Sequence, residues 1–126
     1  MSKHETPLTR RYWKEVGGTL IEEFAAIPRG DDHAQRLIDG IIILNEPTRI
    51  AKKPDVDLKG KDIIVIQTKA HRLGMYLMGQ AIFSLEIMKR YKPRSIKSVA
   101  ICTKGDSEME SLLQKHKNVA VVVYAD

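Results

Sequence analysis

The sequence contains very little of what zinc, iron–sulfur and redox sites are built from. Cys102 is the only cysteine among 126 residues, which excludes an internal disulfide and any metal site held by several cysteines. The four histidines show no spacing typical of metal ligands, and the chain has no phosphate-binding or dinucleotide-binding glycine pattern. No apolar run reaches the roughly 18 residues of a membrane-spanning helix. The opening residues, MSKHETPLTRRYW, lack the apolar core of a signal peptide, so we expect a cytoplasmic protein.

The composition is typical of one folded domain. Hydrophobic residues make up 43% of the chain and charged residues 29%, a balance found in globular proteins and not in disordered ones. A chain of 126 residues suits a single hydrophobic core, so we predict one domain spanning residues 1–126. The formal net charge of +5 gives a mild preference for polyanionic partners such as nucleic acid.

The spacing of apolar residues predicts a mixed α/β fold. Trp13, Leu20 and Phe24 share one face at about 100° per residue, and Pro28 follows, which predicts a first helix from Thr9 to Ile27. Strands that alternate with helices toward the C-terminus predict parallel strand pairs there, whereas the closely spaced earlier strands predict an antiparallel meander. The order αβββαβαβ therefore predicts a mixed central sheet flanked by helices. After the first helix we expect strands at 36–44, 49–51, 62–70, 95–103 and 118–124, and helices at 72–91 and 106–116.

Several polar side chains interrupt segments that are otherwise apolar. Asp39 lies within RLIDGIIIL, where a carboxylate must be paired, bound to a metal or placed at the sheet edge; the alternative is a turn at the Asp-Gly step. Gln67 and Lys69 end the run IVIQTKA and point to the same face, either because the strand reaches solvent or because they form a site. Gln80 lies on the apolar stripe of the second helix, where a glutamine needs a partner unless it faces solvent. Glu23 is predicted at the rim of the apolar face of the first helix, from which it can reach inward.

Taken in their order along the chain, these residues resemble the PD-(D/E)XK, or restriction-endonuclease-like, nuclease superfamily. The resemblance covers about residues 9–124 and implies that family's αβββαβ core. Asp39 matches the family's aspartate, and Lys69 matches the lysine of its (D/E)-x-K motif on the next long strand. Gln67 stands where an acid is usual and is the clear departure, although a Q-x-K variant is familiar from the Mrr-like branch.

Two further positions resemble features of particular branches. Gln80 is similar to the helix glutamine of RecB-type nucleases, whose following tyrosine is Phe83 here. Glu23 is similar to the first-helix acid found in many members. The resemblance implies a metal-dependent endonuclease, of the restriction or repair kind, that hydrolyses phosphodiester bonds in DNA.

Phosphodiester hydrolysis of this kind uses a hard cation, Mg²⁺ or Mn²⁺, with oxygen ligands. Lys69 would stabilise the attacking nucleophile and the developing negative charge, and Gln80 would hold a water molecule or a phosphate oxygen. The expected ligands are the side chains of Asp39, Gln67 and Glu23 and the backbone carbonyl of Thr68.

Basic residues around these positions predict a surface for phosphate groups, unless they belong to solvated loops. Two other functions stay open: a nucleic-acid-binding module that has lost catalysis, which the neutral Gln67 would explain, and a Holliday-junction-resolvase-like enzyme. Since 126 residues leave no room for a separate DNA-recognition domain, sequence specificity would need a homodimer or a partner protein. The predicted phosphate-binding residues are Lys52, Lys53, Lys59, Lys61, His71 and Arg72.

Overall fold

A computed structural model describes residues 2–125. Its helices and strands alternate along the chain, with short 3₁₀ turns at Lys53–Asp55 and Lys89–Tyr91. No helix within residues 2–125 is both long enough and apolar enough to cross a membrane. The elements are α1 (Thr6–Val16), β1 (Thr19–Ile27), β2 (Arg36–Ile43), β3 (Arg49–Ala51), β4 (Asp62–Arg72), α2 (Met75–Met88), β5 (Ser95–Lys104), α3 (Ser107–Leu113) and β6 (Val119–Val123).

The strands form one mixed sheet in the order β3-β1-β2-β4-β5-β6. β1, β2 and β4 are antiparallel neighbours, whereas β4, β5 and β6 are parallel to one another. The parallel half follows from connectivity, because α2 and α3 carry the chain back to the starting edge before each new strand begins. The predicted late parallel part is confirmed, and β2 and β4 are antiparallel as expected. The predicted meander is wrong for β3, which pairs parallel with β1 and contacts neither β2 nor β4 in the sheet.

Helices cover both faces of the sheet. On one face, Tyr12 of α1 packs in a buried cluster with Leu20, Ile42 and Ile66. On the other face, α2 and α3 cover the sheet, and Leu77 of α2 belongs to the cluster beneath them. Strands β2 and β4 are covered on both faces, which explains their nearly continuous runs of isoleucine and valine.

The predicted first helix is wrong beyond residue 16. α1 ends at Val16, and Thr19–Ile27 is strand β1, paired with β2 along its length. Gly17 and Gly18 lie between them with φ angles of +83° and +84°, values that a right-handed helix does not contain. A Cβ atom on Gly18 would lie 2.5 Å from the carbonyl oxygen of Ile43, so the turn into β1 requires glycine there.

Strand β1 is irregular at Glu23, whose φ angle is +49°. Ile21 and Phe24 pack in the same core cluster although they are three positions apart, whereas a regular strand would send them to opposite faces. Leu20 and Phe24, which the predicted helix placed on one face, pack on opposite faces of the sheet. Apolar residues on both faces of β1 therefore gave the helix-like spacing by chance.

The other elements are confirmed, with ends that differ from prediction by at most three residues. The predicted alternative of a turn at Asp39-Gly40 is excluded, because both residues lie inside β2. Asp106 begins α3 as expected, and its side chain accepts a hydrogen bond from the Met109 backbone N–H at 3.1 Å. Cys102 is fully buried, as its apolar surroundings in the sequence predict.

Candidate active site

The candidate site lies where β2 and β4 stop pairing. Their antiparallel ladder runs from Ile43↔Ile63 to Gly40↔Ile66 and ends there. At the next residue of β2, Oδ2 of Asp39 accepts a hydrogen bond from the backbone N–H of Thr68 at 2.8 Å. A side chain therefore takes the place of a ladder hydrogen bond, and it fixes the Asp39 carboxylate beside the residues that flank Thr68.

The environment of Asp39 favours its neutral form. Burial raises the pKa of this carboxyl group above its usual value, and the negative charge of Glu5 acts in the same direction. The hydrogen bond from Thr68 and the positive charge of Lys69 oppose that rise in pKa without cancelling it. A cation bound next to Asp39 would lower this pKa.

Gln67 joins β4 to α2 and has an oxygen atom without a partner. Its side chain is only 4% exposed, and its Nε2 donates to Oγ of Ser84 at 3.0 Å. Ser84 in turn donates to the backbone carbonyl of Gln80 at 2.6 Å. Within the described chain, Oε1 of Gln67 and Oε1 of Gln80 are both buried and accept no hydrogen bond. Two such buried acceptors in adjacent side chains are unusual, since nearly all buried polar atoms are paired.

Lys69 faces α2, on the same side of β4 as Gln67. Its ammonium group lies 5.4 Å from the centre of the Tyr76 ring, within the range of a cation–π contact. The side chain is half-buried, which keeps its charge close to Asp39.

Glu23 lies in strand β1, so its predicted place on the rim of a helix is wrong. It lies between the registered pairs Glu22↔Gly40 and Phe24↔Ile38, which places it opposite Asp39 on the neighbouring strand. Its side chain is exposed. Across residues 2–125, no group of three or more histidine, cysteine, aspartate or glutamate side chains is close enough to hold a metal ion. A cation here would therefore need amide or carbonyl oxygens as well as carboxylates.

A groove of about 550 Å³ opens beside these residues, between α2 and the start of β2. Gln67, Gln80 and Ser84 line its inner part. Tyr76 and Phe83, which are 72% and 65% exposed, line its outer part. Gln67 and Gln80 are both among its walls, but their Oε1 atoms are covered, so a ligand in the groove reaches these oxygens only if the amides turn toward it.

Two of the six predicted phosphate-binding residues are engaged elsewhere in the protein. Lys53 turns inward, where its Nζ donates to the Ala25 carbonyl at 2.6 Å and lies 4.9 Å from the centre of the Phe24 ring. Lys61 forms an ion pair with Glu46 at 2.9 Å. Lys53 therefore braces the sheet edge, and its ammonium group is not directed at solvent.

The other four predicted residues fall on different parts of the surface. His71 and Arg72 end β4 at the site, and both are exposed. Lys59 precedes β4 and lies at the opposite end of that strand. Lys52 follows Ala51, the last residue of β3, and so lies at the outer edge of the sheet. His71 and Arg72 therefore lie at the same end of β4 as Lys69, whereas Lys59 and Lys61 lie at the other end.

Three site residues were missed by the sequence analysis. Ser84 was visible as a hydroxyl on the apolar stripe of α2, but its bond to Gln67 needs the packing of α2 on β4. Tyr76 and Arg36 gave no signal, because their place in the groove depends on how α2 lies beside β2. Thr9, where the predicted first helix begins, is not one of these three: it lies inside α1, and its Oγ1 is 2.8 Å from Oγ1 of Thr68.

No protein-family model matches the sequence, and no curated protein matches it either. Two solved structures share the fold. The structure of an EndoMS–dsDNA complex has a TM-score of 0.59 at 12% identity, over 100% of this chain and 47% of the other. A repair endonuclease from Pyrococcus abyssi has a TM-score of 0.58 at 10% identity, over 99% of this chain and 49% of the other. The chain thus spans about half the length of each, and the likeness confirms the predicted α/β fold class.

Proposed function

We propose that this protein is a metal-dependent endonuclease that hydrolyses phosphodiester bonds in DNA. The observation that carries the proposal is the end of the β2–β4 ladder, where the Asp39 carboxylate accepts a hydrogen bond from the Thr68 N–H. Gln67 and Lys69 flank Thr68 on β4, and Gln67 lines an open groove. A fold shared with EndoMS, solved in complex with double-stranded DNA, and with a repair endonuclease supports DNA as the substrate.

The residues at the junction suit a hard divalent cation. Mg²⁺ prefers oxygen ligands, and Oε1 of Gln67 is a buried oxygen without a hydrogen bond within residues 2–125. The Asp39 carboxylate and the Thr68 carbonyl would complete the protein's share, and Glu23 reaches the same row from β1. Because Gln67 carries no charge, we expect the site to bind Mg²⁺ weakly, at millimolar concentrations, and to accept Mn²⁺.

The chain's own residues have distinct roles in this reaction. When bound, the cation polarises the phosphate and activates a water molecule. Lys69 brings a positive charge to the negative charge that develops on the phosphate. The cation–π contact with Tyr76 restrains that ammonium group on the α2 side of the strand. Gln80 offers its amide to a water molecule or a phosphate oxygen in the groove.

Binding to DNA would use the cations at this end of the sheet. Arg36 at the start of β2 and the exposed His71 and Arg72 at the end of β4 border the site. Phosphate contacts of this kind release counterions, so affinity for DNA should fall steeply as salt rises. An affinity that stays flat between low and physiological salt would contradict a phosphate-dominated surface.

A second function, DNA binding without cleavage, is favoured by one observation. Gln67 replaces a carboxylate with a neutral amide, and its Nε2 is committed to Ser84. The variant Gln67→Glu separates the two functions. The added charge should tighten metal binding in either case, so the difference lies in whether the wild-type protein already cleaves DNA. Cleavage by the wild-type protein supports the nuclease, whereas cleavage gained only with Gln67→Glu supports the binding module.

The direct test is cleavage by the purified protein in Mg²⁺ or Mn²⁺. Duplex, single-stranded and branched DNA, with RNA beside them, would identify the substrate, because the fold alone does not select among them. Lys69→Ala should abolish cleavage and leave metal binding measurable by calorimetry, whereas Asp39→Ala should abolish both. Lys97→Ala is the matched control, since Lys97 is an exposed lysine on β5. Equal loss of activity in the Lys69 and Lys97 variants would refute the assigned role of Lys69.

A further inference from the structure

One edge of the sheet is a strand whose outer hydrogen-bonding groups have no partner. β6 is the last strand in the order and pairs only with β5. The Ser98 N–H donates to the Asn118 carbonyl, and the Tyr124 N–H donates to the Cys102 carbonyl, both at 2.8 Å. Since alternate residues of a parallel strand point their backbone groups the same way, the even-numbered residues of β6 face β5.

The odd-numbered residues of β6 therefore point their N–H and carbonyl groups away from the sheet. These residues are Val119, Val121 and Val123. No hydrogen bond outside the β5–β6 ladder reaches their backbones anywhere in residues 2–125. The edge thus offers three donors and three acceptors in one extended row.

This edge also lacks the features by which proteins usually prevent strands from pairing with other chains. Its sequence, VAVVV, has no charged residue and no proline, and its register with β5 contains no bulge. The opposite edge, β3, has only three residues and begins with Arg49. Apolar surface continues around β6, because Val123 is 39% exposed and Leu112 of α3 is 46% exposed.

We propose that β6 pairs with β6 of a second copy of this chain, antiparallel and about a twofold axis at Val121. A twofold axis makes the interface closed and self-complementary. With Val121 on the axis, it faces its own copy, and Val119 faces the partner's Val123. This register pairs all three outward residues of each copy and forms six backbone hydrogen bonds, whereas a shift of the axis by one residue within β6 leaves one outward residue per copy unpaired.

The charges around this edge are compatible with self-association. β6 itself has no charge that could repel its copy. On the α1 side, Arg11 lies 3.9 Å from the centre of the Tyr124 ring, and the Tyr124 hydroxyl donates to Glu15 at 2.7 Å. Both signs of charge therefore flank the C-terminal end of β6. The antiparallel register brings this end next to the partner's Lys117, so Glu15 offers it an opposite charge.

The register also fixes how the two candidate sites would be related. Gln67 is aligned with Ala100, and Ala100 with Val121, so all three lie in one row across the sheet. A twofold axis at Val121 extends this row to the partner's Gln67, five strand spacings away, or about 24 Å before the twist of the sheet is considered. Both sites would open on the α2 face. Only this consequence rests on the proposed function; the dimer does not.

Analytical ultracentrifugation of the purified protein tests the dimer. The wild type should be dimeric at a protein concentration of about 100 µM. A protein that is still monomeric at that concentration would overturn the proposal. Val121→Pro removes an N–H that the fold does not use, and it should raise the dissociation constant about tenfold or more. Val123→Lys should also weaken the dimer, whereas Ile50→Lys on the opposite edge strand should leave it unchanged. An equal effect of Val123→Lys and Ile50→Lys would contradict the assignment to β6.

Disulfide cross-linking tests the register without relying on the proline variant to fold. Val121→Cys should form a covalent dimer on oxidation, because facing residues lie about 5.5 Å apart at Cα. Val119→Cys alone should not cross-link, since Val119 faces Val123, but the double variant Val119→Cys/Val123→Cys should. The native Cys102 can stay, because it is fully buried. Cross-linking of Val119→Cys as efficient as that of Val121→Cys would overturn the proposed register.

Discussion

Replacing Gln67 with methionine should stabilise the protein and remove its response to metal. Methionine has nearly the length of glutamine, so the buried space remains filled. The substitution removes the unpaired Oε1, whose burial costs about 1–3 kcal/mol, and it loses the hydrogen bond to Ser84, worth about 0.5–1.5 kcal/mol. Ser84 keeps its bond to the Gln80 carbonyl, so no new unpaired donor arises. The net result should be a gain of about 1 kcal/mol in the free energy of unfolding.

Urea denaturation at neutral pH, without divalent ions, measures this difference. With a slope of about 2 kcal/mol per molar urea, a gain of 1 kcal/mol moves the midpoint upward by roughly 0.5 M. Gln114→Met is the matched control, because Gln114 is exposed and its replacement should change the stability by less than about 0.5 kcal/mol. A loss of more than about 1 kcal/mol in Gln67→Met would mean that Oε1 is satisfied in solution, and our reasoning about this atom would be refuted.

Urea denaturation repeated in Mg²⁺ tests whether Oε1 of Gln67 binds the metal ion. A ligand present at ten times its dissociation constant stabilises the folded state by about 1.4 kcal/mol. The wild type should gain this amount in Mg²⁺, whereas Gln67→Met should gain much less. The stability advantage of the variant should therefore shrink or reverse as Mg²⁺ is added. Equal stabilisation of both proteins would show that Gln67 does not hold the ion.

Three further substitutions test other parts of the structure. Burial raises the pKa of Asp39 in the folded protein. The protonated carboxyl group therefore contributes stability below its unfolded pKa, and this contribution is lost as pH rises through its folded pKa. Asparagine stays neutral, so Asp39→Asn should be more stable than wild type at pH 7, by an amount that shrinks in acid. Thermal melts at several pH values check this, and a pH-independent loss of stability would contradict it. Arg72→Ala should weaken DNA binding and reduce the salt dependence by about one counterion, whereas Lys59→Ala, at the far end of β4, should do neither, as fluorescence anisotropy would show. Gly18→Ala should destabilise the fold by at least about 1–3 kcal/mol in urea unfolding, because its φ is +84° and a Cβ would meet a carbonyl oxygen at 2.5 Å; unchanged stability would refute this.

The sequence predicts the central strands well, because burial on both faces produces continuous apolar runs. Ile41–Ile43 and Ile63–Ile66 can be read as buried strands without any knowledge of their neighbours. β1 fails by the same method, since its apolar residues face both sides of the sheet: Leu20 packs with α1, and Phe24 packs on the α2 side, yet their spacing matches one helix face. The two positive-φ glycines before β1 were the available signal, because two adjacent glycines are more typical of a break than of a helix interior.

The site divides between residues that a sequence can place and residues that it cannot. Asp39 stands out because a carboxylate in an apolar strand needs an explanation, whatever the partner is. The bond from Gln67 to Ser84 depends on how α2 packs on β4, which no local pattern specifies. The position of Lys61 was predictable in part: it precedes Lys69 by eight residues of extended chain, or about 26 Å, and cannot share its phosphate.

The site concentrates several departures from good packing in one place. A half-buried carboxylate replaces a ladder bond at Asp39, and within residues 2–125 the amide oxygens of Gln67 and Gln80 have no hydrogen-bond partner. Glu23 in the neighbouring strand has a positive φ. Each feature costs stability when taken alone. If such defects were accidents of sequence drift, they would be scattered among the core clusters, yet Ile42 and Ile66, just along the same strands, are fully buried and well packed. Local violations of packing that share one location are expected where function opposes stability. A divalent cation with its bound water offers positive charge to Asp39, and it can be coordinated by the amide oxygens or donate hydrogen bonds to them. Such a ligand would stabilise the Asp39 carboxylate and both amide oxygens together.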